Sequence, residues 1–238
     1  GDRDELLPII DKVLSSGQYV GGDEVECFEK KVAKLCNVKY AVGLNSGTDA
    51  LNFAMHLLGI GKGDEVITPP NSFIASTAAI MHLGAKPVFV DVLPNQNIDP
   101  EKIKAAITNK TKAIMPVHLT GRVCDMDSIM EIANQYRLSV IEDSAQSIGS
   151  KYKGMPSGSI GNVGCFSTHP LKNLNACGDG GFMTTNDQKI YAKAKALRNH
   201  GMSDRNTVDE FGYVSRMDNL QAAILNFRLK KLNKIIGE

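Results

Sequence analysis

A carboxylate at the end of one apolar run and a lysine beyond the next hold the most chemical promise in this chain. Residues 138–141 read as a short buried strand, and Glu142 and Asp143 follow directly. A second strand, 163–167, leads on to Lys172. A fixed negative charge opposite a reactive amine suits a cofactor whose ring nitrogen wants a carboxylate and whose aldehyde wants a lysine. Pyridoxal phosphate (PLP) has both needs. A carboxylate at a buried strand end is costly unless something cationic or protonated meets it. Asp143 is therefore either a ring-nitrogen partner or a helix cap or ion pair, while strand alternation sends Glu142 to the other face as a structural group. Lys172 lies in a turn between Pro170 and Gly178. To act as a catalytic amine it must be desolvated or held near other cations; otherwise it is a solvated surface charge.

Other residues with chemical potential are weaker alone. Asn45-Ser46-Gly47-Thr48-Asp49 is a small-residue turn opening a helix. Backbone N–H groups and the helix dipole there suit a phosphate, with Gly47 allowing close approach; an ordinary N-cap by Ser46 or Thr48 is the plainer reading. Phe73 follows two prolines and can stack on a flat heteroaromatic ring or simply pack in the core. Gln146 can donate to a ring hydroxyl or hold its loop. Ser167 can bind a phosphate oxygen, and His169 is either a surface turn residue or a substrate contact.

The elements that must position these residues alternate. Strands are expected at 41–44, 65–68, 87–90, 112–117, 138–141, 163–167 and 181–184, and helices at 48–58, 74–83, 100–107, 126–136 and 188–198. Such alternation argues for an α/β fold with a largely parallel sheet. Two helices precede it, from Asp4 to Ser16 and from Asp23, where Glu26 three residues on forms a capping-box pattern. A final helical pattern runs over 216–235. In an open α/β sheet, ligands bind beyond the carboxyl ends of the strands. Ser46–Thr48, the segment 69–73, His118, Asp143 and Ser167 with Lys172 each follow a different strand, so five strand ends converge on one rim.

The bulk composition narrows the class. Lys and Arg number 27 against 26 Asp and Glu, with no long run of one sign, so nucleic acid and anionic membrane are poor partners. No apolar run approaches a membrane span and no signal peptide is legible. The five cysteines form no C-x-x-C pair, which suits a reducing compartment and a cytoplasmic location. The five histidines are scattered, and no metal-ligand set is expected.

The motifs N-S-G-T-D-A-L, G-D-E-V-I-T-P-P-N-S-F, V-I-E-D-S-A-Q, C-F-S-T-H-P-L-K-N-L and G-D-G-G, followed by R-N-H-G and G-Y-V-S-R-M-D-N-L-Q-A-A, resemble the DegT/DnrJ/EryC1/StrS family of PLP-dependent sugar aminotransferases. The resemblance spans nearly the whole chain in family order. It implies the large domain of a fold-type I PLP transferase, with a mostly parallel, seven-stranded mixed sheet flanked by helices. Residues 1–22 would be an N-terminal segment, 23–215 the PLP-binding domain, and 216–238 the start of a helix leading to a further small domain.

By the same resemblance Lys172 forms the internal aldimine with PLP and shuttles protons, Asp143 pairs with the ring nitrogen and Gln146 contacts the ring hydroxyl. Gly47, Thr48 and Ser167 cradle the phosphate and Phe73 stacks on the ring. The implied reaction moves an amino group from glutamate to a nucleotide-linked keto sugar, in a homodimer whose active sites are shared. Two positions depart from the family. Val214 replaces an asparagine that reaches the partner's cofactor phosphate, a role Ser215 or Arg216 would have to take. Asp179 replaces a glutamate in G-D-G-G. The rival readings are a sugar dehydratase using the same cofactor, in which histidine takes the lysine's place, and a PLP-binding regulatory protein without turnover.

Overall fold

Two helices, α1 (Arg3–Ser16) and α2 (Asp23–Leu35), lead into the alternating region in the computed structural model, which describes residues 2–237. The strands are β1 (Tyr40–Leu44), β2 (Glu65–Thr68), β3 (Lys86–Phe89), β4 (Thr111–Ile114), β5 (Ser139–Asp143), the short pair β6 (Lys151–Tyr152) and β7 (Met155–Pro156), β8 (Val163–Ser167) and β9 (Gly181–Thr185). Helices α3 (Gly47–Leu57), α4 (Ile74–His82), α5 (Pro100–Ala106), α6 (Met126–Tyr136) and α7 (Gln188–Leu197) lie between or after them, and α8 (Asn219–Arg228) and α9 (Leu232–Gly237) close the chain.

Seven strands form one sheet in the order β1-β9-β8-β5-β4-β2-β3. Strands β8, β5, β4, β2 and β3 pair in parallel, while β9 runs antiparallel to both β8 and β1. The carboxyl ends of β1, β2, β4, β5 and β8 therefore meet at one edge, where β9 begins. This is the mixed, mostly parallel sheet expected from the sequence.

Side-chain alternation builds a core on each face. Val42, Val66, Ala113, Ile141, Cys165 and Met183 pack against α3, α4 and α7. On the opposite face Ala41, Phe166 and Phe182 meet α2 and α8, and Ile67, Ile114 and Val140 meet α5 and α6. Burial on both faces explains why these strands read as continuous apolar runs. It also fixes the two carboxylates: Ile141 and Asp143 face α3 and α4, whereas Val140 and Glu142 face the other layer.

The structure differs from the sequence reading in four places. Gly22, not Asp23, is the N-cap of α2 and no side chain caps that helix, so the capping box does not form. Strand β4 ends at Ile114, and beyond it Val117 makes only an isolated bridge to Asp143. The last helix starts at Asn219, because Val214 and Asp218 are drawn into bridges with Asn199 and Val20; a 3-10 turn at Leu229–Lys231 then separates α8 from α9. The β6–β7 hairpin, with its turn at Lys153 and Gly154, is too short to leave a periodic signal.

Candidate active site

Ser46 caps α3, its Oγ accepting from the Asp49 N–H at 3.1 Å, while its carbonyl accepts from Ala50. Helix geometry leaves the N–H groups of Gly47 and Thr48 without an acceptor among the described residues. Gly47 also sits directly over β8: a Cβ there would lie 2.7 Å from Ser167 Cβ, so any side chain would push the two elements apart. Gly181 is tighter still, with an added Cβ 2.3 Å from the Ser46 carbonyl carbon. These two glycines let the β1–α3 turn, the end of β8 and the start of β9 converge.

Asp143 ends β5, is 5% exposed, and receives two neutral donors. Ser76 Oγ donates to Oδ2 at 2.7 Å and the Ala145 N–H donates to Oδ1 at 3.2 Å. Burial pushes its carboxyl above the usual carboxylate range, and the Ser76 bond, the Ala145 N–H and the positive charge of Lys172 only partly offset that. Among the described residues no cation bonds this carboxylate, so a cationic or protonated group would be a favourable partner for it.

Lys172 follows β8 in a loop that is tied down from elsewhere in the fold. Its N–H donates to His169 O at 2.9 Å, and Ala176 N–H returns to Thr168 O at 2.7 Å. From α8, Arg228 donates to Asn175 O at 2.9 Å and Oδ1 at 2.7 Å, and Gln221 exchanges hydrogen bonds with the Cys177 backbone. The loop is thus clamped by a helix more than forty residues downstream, through contacts that span 44 to 53 positions.

Gln146 Oε1 accepts the Thr120 N–H at 2.8 Å, which fixes the amide orientation and leaves its NH2 group without an acceptor among the described residues. Thr120 holds that N–H from a left-handed backbone (φ 53°), a strained setting for a β-branched residue. Phe73 is 71% exposed, which rules out the core-packing alternative for it. Gly47, Thr48, Phe73, Asp143, Gln146, Ser167 and Lys172 all line one cavity of ≈370 Å³. A larger opening of ≈960 Å³ between α7 and residues 199–217 gathers helix-surface and loop side chains and none of these seven.

His118, placed on the rim by its position after β4, turns inward instead. It is fully buried, its Nδ1 accepting from Cys124 N–H at 3.2 Å, so the ring proton sits on Nε2 and is donated to Glu142 Oε2 at 3.0 Å. Glu142 also accepts from the backbone of Gly158, Ile160 and Gly161. Burial works to raise that carboxyl, but the His118 bond and these N–H groups outweigh it and hold it below the usual range. Glu142 is the structural group expected. His169 stands at the cavity mouth, exposed. Ser215 is fully buried and bonds Asn45, and Arg216 bonds Asn199, so both are engaged within their own chain, while Val214 is 57% exposed. Burial pushes the Cys36 and Cys124 thiols up to about 12, which leaves them inert. Among the described residues no cluster of His, Cys, Asp or Glu could hold a metal ion.

Sequence reasoning missed Ser72 and Ser76 behind Asp143 and Thr120 behind Gln146. The serines carry one usable signal, two hydroxyls four residues apart flanking Phe73 at a helix start; Thr120 carries none.

The mixed seven-stranded sheet, with an acid and a lysine at its carboxyl edge, defines the large domain of a fold-type I transferase. The chain belongs to the DegT/DnrJ/EryC1/StrS aminotransferase family, whose profile matches residues 2–238. It is 47% identical over 224 residues to a UDP-N-acetyl-3-dehydro-alpha-D-glucosamine 3-aminotransferase from Acidithiobacillus ferrooxidans, covering 94% of this chain and 61% of that one. It is 42% identical over 233 residues to a pleiotropic regulatory protein from Geobacillus stearothermophilus, covering 98% and 63%. The crystal structure of NtdA from Bacillus subtilis with bound cofactor PMP superposes with a TM-score of 0.93 at 39% identity, covering 98% of this chain and 54% of that one. The chain thus spans about three fifths of the length of the curated relatives it matches.

Proposed function

We propose that the protein transfers an amino group from glutamate to a nucleotide-linked keto sugar, using PLP held at the carboxyl edge of the sheet. The observation that carries this reading is the single cavity shared by Lys172, Asp143 and the Gly47–Thr48 helix start. The residues fit the cofactor on three counts. Asp143 is a buried carboxylate with neutral donors and no bonded cation, Gly47 and Thr48 present unpaired N–H groups, and Phe73 keeps an exposed ring at the cavity. When bound, PLP supplies an aldehyde that accepts amino nitrogen and a ring that takes up the electron pair released at the reacting carbon.

Each side chain has one task. Gly47, Thr48 and Ser167 bind the phosphate through two N–H groups and a hydroxyl. Asp143 keeps the proton on the ring nitrogen, Gln146 donates its amide to the ring hydroxyl, and Phe73 packs on the ring face. Lys172 would hold the group through Nζ and, once freed, would carry the proton to and from the carbon exchanging nitrogen. A homodimer with shared sites and a cytoplasmic location complete the reading; among the described residues no helix is long and apolar enough to cross a membrane.

The regulatory name of one relative supports a second reading, cofactor binding without turnover. One assay separates them. The full-length protein loaded with PLP should show a visible band that glutamate bleaches, then release 2-oxoglutarate and recover the band with one of a panel of UDP-, dTDP- or GDP-linked keto sugars. A band indifferent to glutamate would favour the regulator and defeat the transferase.

A further inference from the structure

The carboxylate of Asp143 does not stand alone. Ser76, on α4, is 1% exposed and its hydroxyl lies 2.7 Å from Asp143 Oδ2. Ser72, four residues earlier, lies 2.5 Å from Ser76, oxygen to oxygen. Each hydroxyl has one proton. An ionised Asp143 can only accept, so the Ser76 proton points to Oδ2, and the bond between the serines must then use the Ser72 proton, in preference to the longer 3.3 Å contact from Ser72 Oγ to the Phe73 carbonyl. The chain runs one way, from Ser72 through Ser76 to Asp143. Ser72 is partly exposed and lines the cavity with Ser76.

From this geometry we infer that Ser72 and Ser76 form a directional hydroxyl relay that orients the Asp143 carboxylate and withdraws part of its charge. Ser76 is thereby a positioning residue for the group that binds the cofactor's ring nitrogen. The inference rests on the reading of Asp143 as that nitrogen's partner. With Ala145 N–H on Oδ1 and Ser76 on Oδ2, the carboxylate is held on both oxygens and cannot rotate, and each oxygen keeps lone-pair capacity for a ligand. Hydrogen bonds in series polarise one another, so the second serine strengthens the first. The charged and titratable neighbours come from several elements. Lys172, His169 and Asp179 line the same cavity, Cys165 is the register partner on β8, and Glu142 with His118 and Cys124 lies on the other face of the strand. The Cys165 thiol, raised by burial, stays neutral. None of these donates a hydrogen bond to Asp143, which leaves Ser76 as the only side chain that does so among the described residues.

The test is the affinity of the full-length apoprotein for pyridoxamine 5′-phosphate across pH 4 to 9, by calorimetry. Removing a donor from a carboxylate raises its proton affinity. Ser76→Ala should move the acid limb of the binding profile upward by about one pH unit, Ser72→Ala should move it the same way by less, and Ser76→Thr should restore the parent profile. A void of one oxygen atom would weaken packing but would not shift a pH profile. If Ser76→Ala does not fold, the partly exposed Ser72→Ala carries the test. Unshifted limbs in both serine variants, with Asp143→Asn weakening binding at least tenfold, would overturn the relay and leave the cofactor reading standing. Binding unaffected by Asp143→Asn would overturn both.

Discussion

At the residue scale the site is built from groups held in unfavourable states. Asp143 is the clearest. Its carboxyl is raised by burial in the folded apoprotein, so the folded state binds its proton more tightly than the unfolded chain does. By linkage, apoprotein stability falls as pH rises through the interval between the ordinary carboxylate value, about 4, and the raised one, and it stays reduced above that. Asp143→Asn removes that burden. Its apoprotein should melt at a higher temperature than the parent at pH 7, with the gap closing toward pH 4, while its affinity for pyridoxamine 5′-phosphate falls. Differential scanning calorimetry across pH reads the first effect, and a lower melting temperature at pH 7 would count against it. Glu142, one residue earlier, has the opposite design: four donors surround it and its carboxyl is held low. Its contribution is present above the ordinary carboxylate range and is lost as pH falls through its depressed value. Two adjacent acids thus serve function and stability respectively because the strand turns them to different faces.

At the element scale the question is how a loop can present Lys172 with any precision. Residues 168–180 contain no regular structure of their own, and their order comes from α8. Arg228 donates to Asn175 while its other nitrogens meet Asp2, so one guanidinium joins the chain start, the last long helix and the lysine loop. Arg228→Ala should cost about 1.5–3 kcal/mol, the range for hydrogen bonds to a charged group, measured by urea denaturation. It should also open the 168–180 segment to limited proteolysis and reduce kcat more than KM, since the amine loses its placement rather than the substrate its contacts. Loss of stability without added proteolysis in the loop would show that Arg228 acts elsewhere. The same scale explains Gly47 and Gly181, whose missing side chains let three strand ends close to within backbone contact.

At the scale of the whole molecule, one run of exposed apolar side chains lies outside the lining of the site cavity. Val208, Phe211, Tyr213 and Val214 are between 50% and 98% exposed within one short segment. Isolated exposed apolar residues are ordinary, but a run of them is a surface that expects a partner. In the homodimer reading this segment meets the second copy. Phe211→Glu should weaken dimerisation at least tenfold, the effect of losing an aromatic anchor, seen as a shift toward monomer in sedimentation velocity of the full-length protein. An unchanged sedimentation coefficient at micromolar concentration would place the interface elsewhere.

Periodicity and punctuation in the sequence determined the strand and helix order, and alternation separated Asp143 from Glu142. The rule that ligands bind beyond strand ends gathered Ser46–Thr48, the segment 69–73, His118, Asp143, Ser167 and Lys172 on one rim, while Gln146 entered only as a neighbour of Asp143 and through the family resemblance. These are local or topological properties, written in spacings of two, three and four residues. The tertiary structure decided what depends on contacts between distant segments. It turned His118 inward to Glu142, brought Ser76 to Asp143 across 67 positions and clamped the lysine loop with Arg228 across 53. It also moved the start of the last helix to Asn219, where Asp218 is taken up by a bridge to Val20. No window of sequence contains both partners of such a contact, so hydroxyls and histidines that look alike along the chain acquire their roles only when the sheet closes.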